Sequence, residues 1–307
     1  MFTNFPQGVS SFGLPMIGAG PLMTTGNVFF VNSTALNASD GNVGTSPDKP
    51  FATIDYAVGK CTANNSDVII VGPGHVETIT TNGGLALDVA GITLIGIPSG
   101  TLKPQINFTS STSARMTISA NNITLQNFLL TGGIDALSFP VSLSGSDFRM
   151  LDCEYRDVTG QCTLFMVTTS AANRLLIDRF TYIGDSAAGT TTAIRLVGGS
   201  NSVIRNFRIT GNFGTSAIEI TTTAATALRI HDGFIKNYNS ADVCVLDTIT
   251  GSTGWIGPNL YLDLTDNAAN ITEAVTGATF RLFDNVYVVN ADNEKAMLIN
   301  WTASTDA

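Results

Sequence analysis

Short runs of alternating apolar residues recur along the chain, each with an Asn or Asp near its middle and a second apolar pair after it. The runs are "ITLQNFLL", "FRMLDCEY", "LLIDRFTY", "SVIRNFRI", "LRIHDGFI", "WIGPNLYL" and "FRLFDNVY". Their central residues are Asn127, Asp152, Arg179 (beside Asp178), Asn206, Asp232, Asn259 and Asp284. The separations are 25, 27, 27, 26, 27 and 25 residues, which is too regular a spacing to arise by chance.

A second set of apolar pairs lies between these runs. The pairs are Met116/Ile118, Val141/Leu143, Phe165/Val167, Ile194/Leu196, Ile218/Ile220, Val243/Val245 and Met297/Ile299, with one weakly marked position at Ile271 to Ala274. Each repeat therefore supplies two or three short strands joined by Gly, Asn, Asp or Ser turns. Leucine-rich and helical repeats need long segments of helical periodicity, which are absent, and a propeller blade needs about 40 residues.

The pattern predicts an all-β fold, a single-stranded parallel β-helix in which each strand pairs with its equivalent one coil further on, about 4.8 Å away. Inward residues then stack as apolar columns, and the central Asn and Asp residues stack at a bend. We expect an extended N-terminal arm over residues 1–26, a cap and first coil over 27–90, and the β-helix over 91–307.

The stretch "PFATIDYAVGKC" predicts a helix over about residues 51–61. Phe51, Ile54, Val58 and Cys61 lie at helical spacing, and Pro50 stands at the start. The first coil of a parallel stack leaves unpaired backbone groups and an open apolar end. We therefore expect this helix to cap that end, and "DVIIVGPGHVETI" to follow it as a buried strand.

Composition and charge exclude several classes of function. Charged residues make up 13% of the chain, the formal net charge is −9, and no Lys or Arg precedes Lys49, so binding to nucleic acid is not expected. No run of 18 apolar residues predicts a membrane span, and the N-terminus has no basic segment typical of a signal peptide. The four cysteines show no CxxC pair, so we expect buried free thiols and neither metal nor cofactor.

The run "VFFVNS…GNVGTSPDKPFATIDYAVGKC…DVIIVGPGHVETI", with the coils that follow it, resembles the pectate-lyase-like right-handed β-helix proteins. More narrowly, it is similar to the β-helical virion proteins of tailed phages, which include tailspikes and the trimeric proteins that decorate or cement the head. The resemblance covers about residues 27 to 307. It implies a right-handed helix and, from the phage members, a homotrimer.

The N-terminal arm is rich in apolar residues, although Pro6, Pro15 and Pro21 prevent a regular helix or central strand. Its candidate anchors are Phe2, Phe5, Phe12, Leu14, Met16, Ile17, Leu22 and Met23. We expect the arm to bury these side chains against the capsid or a neighbouring subunit. The alternative is that it folds back over its own first coil or over a sibling subunit.

Candidate catalytic residues follow from the stacking of coils. Asp152 and Asp178, with Glu154 nearby, could approach each other as the paired carboxylates of a glycoside hydrolase, and Asp232 beside His231 is a second candidate. A structural ladder of turn residues is the simpler interpretation, because it also explains Asn127, Asn206 and Asn259. The hydrolase motifs of the resembling enzymes are absent, and so is a clustered set of Asp ligands for a calcium-dependent lyase.

Three further sets of residues have a structural interpretation beside a functional one. His75 is expected to be a structural residue of the first coil. Arg149, Arg205, Arg229 and Arg281 occur at similar places in successive coils, and they are either an outward stripe for a partner or solvated residues. The aromatic residues beyond the bend are expected to stack in the core, since a sugar platform would need them exposed; they are Phe128, Tyr155, Phe180, Tyr182, Phe207 and Phe234.

These observations lead to two functional hypotheses. The first is a structural virion protein, a trimeric decoration or cement protein on the outer capsid surface of a tailed phage, made in the host cytoplasm and bound to the major capsid protein or other virion proteins. The second is a tailspike-like protein that binds or depolymerises a surface glycan. The uniform coil length leaves little room for the inserted loops that the second hypothesis needs.

Overall fold

A computed structural model of the chain describes residues 24–98, 101–160, 162–186, 189–239, 243–264, 274–276, 280–282, 285–290 and 293–298, and the backbone of 9–11 and 14–16. It shows a parallel β-solenoid of about eight turns, with strands in three stacked ladders. This confirms the predicted all-β parallel architecture. Among the described residues, no helix is long and apolar enough to cross a membrane.

The first ladder contains the apolar run that precedes each bend. Its strands are β3 (Val28–Val31), β4 (Val68–Val71), β7 (Thr93–Gly96), β10 (Thr124–Gln126), β13 (Arg149–Leu151), β16 (Leu176–Asp178), the first half of β19 (Val203–Gly211), the first half of β21 (Leu228–Asn237), β23 (Gly254–Ile256) and β26 (Arg281–Leu282).

The second ladder follows the bend. Its strands are β5 (Val76–Ile79), β8 (Gln105–Phe108), β11 (Leu129–Gly132), β14 (Glu154–Asp157), β17 (Thr181–Ile183), the second halves of β19 and β21, β24 (Leu260–Leu264) and β27 (Val286–Asn290). The third ladder forms a separate sheet of β6 (Asn82–Leu87), β9 (Arg115–Ile118), β12 (Val141–Leu143), β15 (Leu164–Thr168), β18 (Thr190–Leu196), β20 (Phe213–Ile220), β22 (Val243–Asp247) and β25 (Val275–Thr276).

One continuous hydrophobic core runs between the ladders, because equivalent inward residues of successive coils stack on one another. In the first ladder, Leu125, Met150 and Ile177 pair in register and are fully buried. In the bend, Gly233 stands where other coils place Phe, Cys or Leu. A Cβ there would lie 2.3 Å from the Phe207 ring of the preceding coil, so only glycine fits.

The predicted inward pairs of the third ladder are correct in some coils and wrong in others. Val141 pairs with Met116 on one side and with Met166 on the other, so Met166 takes the place predicted for Phe165, and Val167 faces outward. In the coil predicted to use Val243 and Val245, Val245 pairs with Ile218 and Asp247 pairs with Ile220. The inward pair is therefore Val245 and Asp247.

The last predicted pair is also misplaced. Strand β28 (Asn293–Leu298), which contains Met297, pairs antiparallel with β27 and not with the third ladder. Ile299 lies outside the described residues. The reversal stands at the C-terminal end of the solenoid, so it does not interrupt the parallel pairing of the coils.

Helix α1 (Ile54–Val58) is shorter than the predicted helix over 51–61. Thr53 is its N-cap and accepts a hydrogen bond from the Tyr56 N–H at 3.3 Å, while Phe51 bridges to Val31 in β3. Pro50 therefore does not begin the helix. Ile54, Ala57 and Val58 are buried. Closure of the end of the solenoid by this helix stays a prediction.

The arm predicted over residues 1–26 is described only in part. Strands β1 (Val9–Ser11) and β2 (Leu14–Met16) pair antiparallel, and the backbones of Leu14 and Met16 belong to the second of them. The other six candidate anchors, Phe2, Phe5, Phe12, Ile17, Leu22 and Met23, lie outside the described residues. The role of the arm stays a prediction.

Candidate functional site

The bend between the first and second ladders repeats one backbone conformation. Every described central residue of the repeat is in the left-handed region: φ is 64° at Asn127, 55° at Asp152, 53° at Arg179, 51° at Asn206, 51° at Asp232 and 54° at Asn259. Asn and Asp tolerate this region better than most residues, which explains their recurrence in the sequence. Asp284 lies outside the described residues, and the last bend falls at Asn285 instead, with φ 69°, because Leu260 pairs with Val286.

Hydrogen bonds tie each bend residue to a neighbouring coil. The Asn127 N–H donates to the Leu151 carbonyl at 2.9 Å, and the Asp152 N–H donates to the Asp178 carbonyl at 3.1 Å. The Asn127 side chain donates in the other direction, from Nδ2 to the Gly96 carbonyl at 2.7 Å. The central Asn and Asp residues therefore stack at a bend, as predicted, and hydrogen bonds join them to the neighbouring coils.

A groove of about 520 Å³ lies on the solvent side of this bend, across the coils that contain Asn127, Asp152 and Arg179. Its polar lining comes from Lys103, Gln126, Asn127, Asp152, Glu154, Arg179 and Thr181. It is the best candidate site among the described residues because it contains one member of the predicted catalytic pair.

The structure brings Asp152 and Asp178 together, with Arg179 between them. Arg179 donates to both oxygens of Asp152, at 2.5 and 2.9 Å, and to Asp178 Oδ2 at 2.9 Å. The hydrogen bond from Arg179 is the main cause that lowers the pKa of Asp152. The two carboxylates are therefore bridged by a cation of the same chain.

Asp178 is almost completely buried behind the groove. Burial would raise its pKa, but hydrogen bonds from Asn206 Nδ2 at 2.8 Å and Arg205 at 3.0 Å outweigh burial, so the pKa is lowered. A general acid in a glycosidase needs a raised pKa. Neither Asp152 nor Asp178 has one.

The other acidic residues near the bend are also paired. Glu154 accepts from Arg156 Nε at 2.5 Å. Asp232 accepts from Asn259 at 2.8 Å and contacts His231 Nδ1 at 2.6 Å, and these two contacts lower its pKa, the Asn259 bond first. The two residues of the second candidate pair are thus adjacent in the chain and hydrogen-bonded to each other at the bend.

One carboxyl group with a raised pKa was missed by the sequence analysis. Burial raises the pKa of Asp157, at the end of β14, to about 6. Its Oδ1 accepts from the Tyr155 hydroxyl at 2.7 Å and from the Cys162 N–H at 3.1 Å, whereas Oδ2 is buried with no hydrogen-bond partner among the described residues. Asp157 does not line the groove, and no motif marks it.

His75 is a structural residue, as predicted. Its Nδ1 accepts from the Ser33 N–H at 2.9 Å, so Nε2 carries the proton and lies 3.1 Å from Glu77 Oε2. The same Glu77 oxygen accepts from the Ile54 N–H at 2.7 Å, which ties the first coil to α1.

Within the described part of the chain, no group of three or more His, Cys, Asp or Glu could hold a metal ion.

The aromatic residues predicted to stack in the core do so, with one exception. Phe128, Tyr155, Phe180, Tyr182 and Phe207 are buried. Phe234 is half-buried on the outer face, under the Arg208 guanidinium at 4.6 Å. In the next coils its register partners Tyr261 and Tyr287 stack at 4.9 Å, and Tyr261 stays 49% exposed.

The four repeated arginines do not form one stripe. Arg149, Arg229 and Arg281 share an outward column, but two apolar residues separate the first from the second, and Trp255 separates the second from the third. Arg205 lies in the neighbouring column.

The cysteines are free, and Cys153, Cys162 and Cys244 are buried, while Cys61 is half-buried.

Comparison with known proteins adds little beyond the fold. No protein-family model matches the sequence, and no curated protein matches it. Among solved structures, a rhamnogalacturonan lyase is similar over 78% of this chain and 67% of its own, with 18% sequence identity and a TM-score of 0.38. A similarity at this level carries no argument about activity.

Proposed function

We propose that this chain is a structural protein of a tailed-phage virion, a homotrimeric β-helix that binds the outer surface of the capsid as a decoration or cement protein. One observation carries the proposal: the described acidic side chains at the bend are hydrogen-bonded or ion-paired to Arg, Asn or His of the same chain. The resemblance of residues 27–307 to phage virion β-helices supports the virion location.

Pairing of these acidic side chains within the chain favours a role in assembly over a role in catalysis. Burying a charge against a partner protein is costly unless that charge is already paired, and Asp152 and Asp178 are paired within the chain. A polysaccharide-cleaving site needs the opposite arrangement, a carboxyl group whose environment raises its pKa beside one that stays ionised. The lowered pKa values of both aspartates suit a structural ladder.

The proposal is tested by adding the purified full chain to phage particles that lack it and measuring co-sedimentation. We expect saturable binding by a species of about 97 kDa, three times the 32.2 kDa chain. A chain that begins at Asn27 should still form a trimer and lose most of the binding, because it lacks the apolar anchors. Equal binding by the shortened chain would show that the arm is not the anchor.

A tailspike-like glycan-binding protein is the second candidate, favoured by the groove itself. Gln126, Glu154 and Thr181 offer hydrogen-bonding groups on one solvent-facing concavity. Incubation with bacterial polysaccharides should release no reducing or unsaturated sugar ends under the first proposal. Release of such ends, abolished by Asp152→Asn or Asp178→Asn, would favour the second.

A further inference from the structure

The outward columns on either side of the bend change in charge along the solenoid. In the N-terminal coils the columns before the bend contain no charged residue, and they read Val28, Phe30, Val68, Ile70, Thr93, Ile95, Thr124 and Gln126. The columns after the bend are also uncharged there, and they read Val76, Thr78, Gln105, Asn107, Leu129 and Thr131. Charge on this side of the molecule therefore belongs to the later coils.

The last coils, from β19 to β27, carry an excess of positive charge on the same columns and the bend between them. Their described cations are Arg205, Arg208, Arg229, Lys236 and Arg281. Their described carboxylates are those of Asp232 and Asp263. Five cations against two carboxylates leave this region positive, although the whole chain has a formal net charge of −9.

The two carboxylates and two of the five cations are already paired within the chain. Asp232 bonds to the neighbouring His and Asn described above, and Asp263 Oδ2 accepts from Lys236 Nζ at 3.1 Å. Arg205 donates to the buried Asp178 of the preceding coil at 3.0 Å. The positive excess therefore resides on the remaining three arginines.

These three arginines, Arg208, Arg229 and Arg281, form no ion pair among the described residues. Two of them lie against rings of the next coil: the guanidinium carbons of Arg208 and Arg229 are 4.6 Å from the ring centres of Phe234 and Trp255. The Arg229 Nε atom is buried and has no hydrogen-bond partner in the described part of the chain. A stacked guanidinium keeps the N–H groups at its edge free to donate to an anion.

Aromatic side chains complete this surface. Phe234 and Trp255 are half-buried, and Tyr261 is 49% exposed. Arg, Trp, Tyr and Phe are the residue types enriched in protein–protein interfaces, and the residues that contribute most to binding are most often Trp, Tyr and Arg. We name this surface the arginine–aromatic face: Arg208, Arg229, Phe234, Trp255, Tyr261 and Arg281.

We propose that the arginine–aromatic face binds an acidic segment of the virion protein to which this chain attaches. This inference rests on the proposed function and names the chemistry of its partner. Asp and Glu carboxylates accept two parallel hydrogen bonds from one guanidinium, and this pairing is among the strongest available to a protein surface. A surface with unpaired positive charge also excludes partners of the same charge.

A sugar polymer fits this face less well than an acidic segment of protein. Guanidinium groups already lie over two of the rings, and Tyr287 stacks on Tyr261 at 4.9 Å. A sugar that stacks on an aromatic side chain needs free ring surface, and these contacts reduce it. The rings hold the cations in place instead.

The first test compares two double variants that remove the same charge. Arg208→Gln with Arg229→Gln alters the arginine–aromatic face, and Arg149→Gln with Arg156→Gln alters outward positions three coils earlier. In co-sedimentation with phage particles that lack the protein, the face variant should bind about tenfold more weakly or worse. The control should change by less than about twofold.

Folding of both variants is checked by circular dichroism. Arg208 is exposed, so Arg208→Gln alone should fold even if the double variant does not. It should weaken binding in the same direction by a smaller factor. Binding equal to that of the unmodified chain would count against the face.

A probe of known chemistry tests the face without particles. The chain has two tryptophans, so Trp301→Phe leaves Trp255 as the sole fluorescent reporter within the face. Titration with poly-glutamate should change its fluorescence saturably, and added salt should weaken this binding. The same protein with Arg208→Gln and Arg229→Gln should not respond. Polygalacturonate, a sugar polymer with carboxylates, is the comparison ligand.

The outcomes separate this inference from the proposed function. If the unmodified chain binds particles and the face variant binds them as tightly, the inference fails while the proposed function stands. If the unmodified chain does not bind particles, the proposed function fails, and the poly-glutamate titration then decides the chemistry of the face: a saturable response that needs both arginines supports it, and no response overturns it. Tighter binding of polygalacturonate than of poly-glutamate would overturn the assignment of a protein partner.

Discussion

The two sides of one bend are held together by different forces. On the inside, Tyr155 stacks on Tyr182 at 5.2 Å and Phe165 stacks on Phe180 at 5.3 Å, and all four rings are buried. On the outside, Arg179 binds Asp152 with half of its own side chain exposed to solvent. Packing inside should provide most of the stability, whereas the outer residues mainly set the direction of the chain.

Removal of an inner ring should have the largest effect. Phe180→Ala leaves a cavity between fully packed rings and should lower the free energy of unfolding by about 3–5 kcal/mol, measured by denaturant titration. Phe234→Ala removes the same ring from a half-buried outer position and should cost clearly less. Equal losses at the two positions would contradict the difference between inside and outside.

Burial should also separate the two aspartates of the outer ladder. Asp178→Asn removes a charge that Arg179 and Arg205 share in a site that is 4% exposed, and should cost about 2 kcal/mol. Asp152→Asn changes a carboxylate that is 33% exposed and should cost less than about 1 kcal/mol. Thermal unfolding of the two variants side by side checks this, and a larger loss for Asp152→Asn would reverse the assignment.

Placing a β-branched residue in the left-handed backbone of the bend should have a smaller effect on stability, and this effect does not depend on charge. Asp152→Val places a β-branched residue at φ 55° and should cost about 1–2 kcal/mol more than Asp152→Asn, because Asn tolerates that conformation. Ser142→Val, at an outward strand position, is the control and should be close to neutral. If the Val and Asn variants at position 152 unfold together, the conformation of the bend does not select its residues.

A different kind of effect concerns Asp157 and depends on pH. Its pKa is about 6 in the folded chain against an ordinary value of 3.8, so the folded state holds a proton that the unfolded state has released between those values. Stability from this group is therefore present below about pH 4 and is lost as the pH rises to about 6. Asp157→Asn should lose less stability than the unmodified chain between pH 4 and 6.5. Parallel unfolding curves in that window would show that Asp157 is not buried as described.

Much of the fold could be predicted because each repeat places the same type of residue at the same point. The Asn and Asp residues that mark the bend are those that tolerate left-handed backbone, so Asn127, Asp152 and Asn206 identify it without a structure. The error at Phe165 arose because Phe165 and Met166 are both apolar and both buried, so alternation does not distinguish them. Asp247 was missed since a polar residue at an inward position gives no apolar signal.

The candidate site could be predicted less well. Spacing placed Asp152 and Asp178 one coil apart, but the Arg179 side chain that bridges them decides their chemistry, and its direction is not visible in the repeat. The pKa of Asp157 depends on Tyr155 and Cys162 packed around it in the folded coils.

Electron cryomicroscopy of particles mixed with the purified full chain would show directly whether the protein decorates the capsid. We expect elongated density with three-fold symmetry at regular positions on the outer capsid surface, absent from particles without the protein. Particles that stay bare, or density confined to the tail together with release of sugar ends from a host polysaccharide, would contradict it.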